Sequence, residues 1–190
     1  ADALSYQLRG DLYGLSHSDG VGYEGGGTIN VPIIDDRLAL RASLDYLDDP
    51  GFIDYDYLVR NPGVSNPQPT PALSDENIKR QKDANTEQTW SGRLALRYTD
   101  DWLDGTLTYF YQDADIGGRQ ANYRDSFGTG KYESAARFEE PNKRKNELLS
   151  LELVADLGFA DLTSATGYNE YTENGQRDQT DFLLRAGYGY

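Results

Sequence analysis

The chain has 190 residues, 37% of them hydrophobic, and is rich in tyrosine (15) and glycine (20). Its formal charge of −14, with 32 acids against 18 bases, excludes the clustered Lys/Arg surface that a nucleic-acid partner requires. Cysteine is absent, which excludes disulfides and thiolate metal sites, and no apolar run is long enough for a membrane helix. Many tyrosines and glycines with few aliphatic residues suit strands that are apolar on one face better than packed helices. With no methionine and no signal peptide, the chain is expected to be a fragment or a processed product.

Period-two alternation organises the chain. Residues 4–14 place Leu4, Tyr6, Leu8 and Leu12 on one face and Ser5, Gln7, Arg9 and Asp11 on the other. Residues 16–20 read as a turn, with Asp19-Gly20 as its hairpin signal. A second strand, residues 21–33, carries Tyr23, Ile29, Val31 and Ile33 in phase, with Gly25 and Gly27 between. Asp35-Asp36 turns it into a third strand, residues 37–48. There Leu38, Leu40, Ala42, Leu44 and Tyr46 oppose Arg37, Arg41, Ser43 and Asp45.

A long loop is expected over residues 49–88, because Pro50, Pro62, Pro67, Pro69 and Pro71 cannot donate to a ladder. Ser74 precedes Asp75 and Glu76 in capping fashion, so a short helix is expected within residues 74–87. The fourth strand, residues 89–98, aligns Trp90, Leu94, Leu96 and Tyr98, and Asp100-Asp101 turns it back. The fifth, residues 103–113, carries Leu103, Leu107, Tyr109 and Tyr111 in phase. A second polar loop spans residues 114–145. The sixth strand, residues 146–157, sets Leu149, Leu151, Leu153 and Ala155 against Ser150, Glu152 and Asp156. Gly158-Phe159 turns into a weaker seventh strand, residues 161–171, and a third polar stretch begins near Thr172.

Tight turns at Asp35, Asp100 and Gly158 alternate with long connections after residues 48, 113 and 172. In an up-and-down meander this puts tight turns on one rim and long loops on the other, the asymmetry of transmembrane barrels. The strands reach the 9–11 residues or so that cross a bilayer, and Tyr46, Trp90, Tyr98, Trp102, Tyr109, Tyr111 and Tyr168 sit near their ends. The expected fold is therefore all-β, an antiparallel meander forming part of a large transmembrane β-barrel. A soluble sandwich or barrel also alternates and is the competing fold.

Several stretches resemble TonB-dependent outer-membrane receptors. The hairpin from Tyr23 through Asn30-Val-Pro-Ile to Asp36-Arg-Leu-Ala-Leu-Arg41 is similar to the early barrel of that family. Asp48-Asp49-Pro50-Gly51-Phe52 resembles the start of the following loop, and Leu162-Thr-Ser-Ala-Thr-Gly-Tyr168 with Asp178-Gln-Thr-Asp181 resembles a later strand and its loop. The resemblance implies a barrel of about 22 strands closed by an N-terminal plug. It also implies import of a scarce solute, most often an iron–siderophore complex, with energy delivered by TonB. No plug and no TonB-contacting segment are found here, so residues 1–190 would supply about seven strands of wall within the bacterial outer membrane, against its lipid. The TonB contact would belong to the plug of the parent protein.

No catalytic, cofactor or metal site emerges. Gly20-Val-Gly22-Tyr-Glu-Gly25 matches a dinucleotide fingerprint but precedes a strand, where that site needs a helix. Gly128-Thr-Gly130-Lys131 lacks P-loop spacing, and Asp113-Ala-Asp115 lacks the later glutamate of a calcium loop. His17 is the only histidine, and the paired aspartates sit at turns, where Asp is favoured for local hydrogen bonds. The best ligand-contact candidates are in the second long loop, where Arg119, Tyr123, Arg124, Lys131, Tyr132 and Arg137 mix cations with aromatics suited to an anionic chelate. The rival functions are a passive porin-type channel and a soluble extracellular domain that binds carbohydrate.

Overall fold

A computed structural model of the chain describes residues 3–65, 74–124 and 128–187. In chain order the strands are β1 (Ser5–Tyr13), β2 (Gly22–Ile34), β3 (Leu38–Asp49), β4 (Asp54–Val59), β5 (Ile78–Gln81), β6 (Glu87–Thr99), β7 (Leu103–Ile116), β8 (Glu133–Ser134), β9 (Asn142–Asp156) and β10 (Asp161–Gly175). A short helix, α1 (Thr180–Arg185), follows. No helix among the described residues is long and apolar enough to cross a membrane.

Seven strands pair in the order β1-β2-β3-β6-β7-β9-β10, and every neighbour is antiparallel. This is the expected all-β meander. The sheet is open, with β1 and β10 as edges. Three turns close tightly on one rim. The Arg37 N–H donates to Ile34 O at 3.1 Å, with Asp36 in the left-handed region (φ 57). Asp100 and Leu103 close the second, and Leu157 and Ala160 the third.

Register explains why the alternation is so regular. Leu8, Gly27, Leu44 and Gly92 are successive cross-strand partners. So are Tyr6, Ile29, Ala42, Leu94, Tyr109, Leu149 and Tyr168, which form a row across all seven strands. Each apolar residue of that row thus sits directly beside another, the pairing that stabilises a sheet face. The face itself is uncovered: Leu44 is 57% exposed and Leu94 47%. The opposite face is polar and internally paired. Arg9 meets Asp45, Arg97 meets Asp104 at 2.5 Å, and Arg41 Nη1 donates to Asn30 Oδ1 at 3.2 Å.

Four sequence expectations need correction. The long loops are not free of sheet: β4, β5 and β8 form a second sheet in the order β5-β4-β8. Proline does not prevent this, because Pro50 precedes β4 and Pro62 follows it; Pro67, Pro69 and Pro71 lie outside the described residues. The helix expected within residues 74–87 is absent. Ser74 O accepts from the Asn77 and Ile78 N–H groups, which makes a turn, and the chain then enters β5. The first connection does not turn at Asp19-Gly20. His17 takes the left-handed conformation (φ 69) instead, and Gly20 is small for a packing reason, since a Cβ there would lie 2.5 Å from Pro50. Strands β6 and β9 also begin earlier than alternation indicates, because Glu87, Ile116 and Asn142 are still paired in one row.

Candidate functional site

The large sheet has little covered interior, and most of the buried apolar side chains lie beyond its loop-bearing rim. Ile53, Tyr55, Leu58, Ala84 and Ala136 cluster there, with Phe52 and Tyr132 packed against them. The two long loops therefore fold together as a cap. Strand β4 pairs with β5 from its own loop and, in parallel, with β8 from the other. Backbone bonds lace the crossing: Asp54 N–H to Tyr132 O at 2.8 Å and Val59 N–H to Arg137 O at 2.7 Å. Gly117-Gly118 lets the second loop pass the first. A Cβ on Gly117 would lie 2.6 Å from Ala84 O, and one on Gly118 2.8 Å from the Tyr55 hydroxyl.

A buried carboxylate ties this cap to the end of the sheet. Glu140 is buried, and its Oε1 lies 2.7 Å from Arg119 Nη2 and accepts the Asp178 N–H at 2.8 Å. The Tyr55 hydroxyl donates to Glu140 Oε2 at 3.0 Å and accepts the Arg119 N–H at 3.0 Å. Burial first, and the Glu140 charge second, hold the Tyr55 phenol above its ordinary range, so it remains a donor. The hydrogen bond from Arg119 to Glu140 raises the guanidinium further above its already high range. Asp178 continues the network. Its Oδ2 accepts the Arg137 N–H at 2.5 Å, and its Oδ1 accepts the Thr180 N–H at 2.9 Å where α1 begins. Both carboxylates are thus compensated by donors, as burial of charge requires.

The cap and the polar face of the sheet enclose an open cleft of about 380 Å³. Arg119 enters it from the second loop, Arg144 from β9 and Arg177 from the segment after β10. Asn85, Asn142 and Gln176 add amides. A second cleft, lined by His17, Lys82, Lys131 and Tyr132, lies where the first connection meets the cap. There His17 stacks on Tyr132 with ring centroids 4.0 Å apart, and Lys131 sits over the same ring at 4.8 Å.

The six candidates from the second loop do not converge. Arg119 reaches the first cleft, and its Nη2 donates to the Tyr123 hydroxyl at 2.9 Å, with Tyr123 itself buried. Lys131 and Tyr132 belong to the second cleft. Arg124 is exposed and lines neither. Arg137 is buried and joined to Asp178 through its backbone. Sequence reasoning missed Asn85, Glu140, Arg144 and Arg177. Of these only Arg144 carried a readable signal, since extending the polar phase of β9 backwards from Ser150 passes through it.

No group of three or more acids and histidines among the described residues is arranged to hold a metal ion. No protein-family model matches the chain, and no curated protein or solved structure does either.

Proposed function

We propose that this chain is a wall segment of a bacterial outer-membrane β-barrel: a TonB-dependent transporter that imports a scarce solute, in the first instance an iron–siderophore complex. One observation carries the reading, the apolar belt that register assembles across all seven strands of the outward face. The belt is bounded by aromatic residues on both rims. On the loop side Tyr46 packs on Trp90 at 4.4 Å, and the Tyr46 and Tyr111 hydroxyls donate to Asp48 and Asp113 at 2.9 and 3.1 Å. On the tight-turn side the Tyr98 hydroxyl donates to Asp100 at 3.1 Å, and Trp102 is exposed. An apolar ring body ending in a hydrated polar tip suits a lipid–water interface.

The dimensions agree. Trp90 and Tyr98 stand on one face of β6, eight positions apart, or about 26 Å along a strand at about 3.3 Å per residue. A barrel tilt of about 40° leaves roughly 20 Å of height, near the apolar band of about 25 Å in outer-membrane barrels. Open edges at β1 and β10 leave ladder groups for further strands of the wall. The polar face then lines the interior, and the cap stands at the outer mouth. Solute capture falls to the cap, while passage and TonB coupling fall to a plug in the parent protein.

Cell fractionation tests this reading. The intact protein is expected in the outer-membrane fraction, with a gel mobility that changes on boiling, and its deletion is expected to slow growth when iron is chelated. Recovery from the soluble fraction would overturn the reading, and an unchanged requirement for iron would remove the siderophore as cargo.

A further inference from the structure

The first cleft carries positive charge in a chain whose formal charge is −14. Three arginines line it, Arg119, Arg144 and Arg177, against two glutamates, Glu87 and Glu140. The glutamates are already engaged. Glu140 is buried and accepts from Arg119, Tyr55 and the Asp178 N–H, while Glu87 Oε1 accepts from the Thr89 hydroxyl at 3.0 Å. The arginines are less fully matched. Arg177 has no carboxylate partner among the described residues, and Arg144 has only Glu173, at 3.5 Å.

Unpartnered polar atoms lie behind the same lining. Asn85 is only 2% exposed, and its Oδ1 is taken by the Phe52 and Ile53 N–H groups at 2.8 and 2.6 Å. Its Nδ2 has no acceptor among the described residues, and neither does Arg119 Nε. On the acceptor side, Asn142 Oδ1 is also without a partner among the described residues. These atoms are closed off from solvent, so they make the wall behind the lining polar and do not themselves reach a solute. The excess of guanidinium donors in the lining calls for ligand oxyanions. The volume of about 380 Å³ lies within the usual range for small-molecule sites.

We propose that this cleft binds a small carboxylate solute, with Arg177 and Arg144 meeting its carboxylate oxygens. As an entry station for the transported solute it rests on the transporter reading above; as a binding site it stands on the cleft alone. A metal–carboxylate chelate and an acidic sugar share this chemistry.

Titration calorimetry on the intact protein in detergent, with citrate, ferric citrate, galacturonate and neutral glucose as probes, tests the site. At least one charged probe is expected to bind saturably and glucose not at all. Arg177→Gln and Arg144→Gln are each expected to weaken that binding about tenfold, the loss of one charge-assisted contact. Arg80→Gln, which alters a cap arginine paired with Asp75 outside the cleft, is expected to leave it unchanged. Preference for ferric citrate over citrate assigns the chelate, and preference for galacturonate assigns the sugar acid. Charged probes that bind no better than glucose, or binding untouched by both cleft variants, would overturn the proposal. An outer-membrane protein with that result fails here alone; a soluble protein that binds through Arg177 fails only as a transporter.

Discussion

At the scale of single residues, Glu140 holds the cap together. It is a buried carboxylate whose two oxygens collect donors from β4, the second loop and the segment before α1. Removing one partner of such a group leaves the others buried and unpaired, which costs more than the intact interaction contributes. Arg119 retains some access to water, with 36% side-chain exposure, so the loss falls toward the lower part of the usual range. Glu140→Ala is expected to destabilise the cap by about 2–4 kcal/mol. Hydrogen exchange at the β4 amides of Tyr55 and Leu58 measures this. The same change at Arg124, which is exposed, is expected to leave those amides protected. Residue types alone did not reveal this division. A run of cations and aromatics suggests a ligand surface, but Tyr123 and Arg137 are buried in the cap, and only pairing with distant Asp178 and Glu140 decides which way each residue is used.

At the scale of elements, the long strands were legible because a one-residue slip would turn every apolar side chain to the opposite face. Leu94 shares its phase with Gly92 and Leu96, and register places it beside Ala42 and Tyr109. The cap strands were not legible. They are six, four and two residues long, too short for alternation to stand out. One of their ladders also joins Tyr55 to Ser134 across the intervening strands β5, β6 and β7. A ladder between two loops leaves no periodic trace in either. The belt predicts an asymmetric response to charge. Leu94→Arg, at the middle of the apolar face, is expected to cost about 2–4 kcal/mol of barrel stability in lipid. Ser150→Arg, on the polar face of β9, is expected to cost far less. Urea unfolding of the intact protein in liposomes separates the two.

At the scale of the whole molecule, the fold divides its two kinds of surface between two jobs. A seven-stranded sheet keeps one apolar face and one ion-paired face, neither closed over a core, while the loops at one rim build the compact interior that the sheet lacks. That arrangement is costly in water, where the uncovered belt would drive association, and it is natural when lipid covers one face and a polar interior the other. The most direct test is spin labelling of single cysteines at residues 91–97 of β6 in the intact protein in liposomes, which is simple here because this chain contains no native cysteine. Labels at Gly92, Leu94 and Leu96 are expected to be relaxed by oxygen, which partitions into lipid, and those at Ser91, Arg93, Ala95 and Arg97 by a water-soluble nickel chelate. Equal relaxation of both sets by the nickel chelate, without period-two alternation, would contradict the membrane-barrel account.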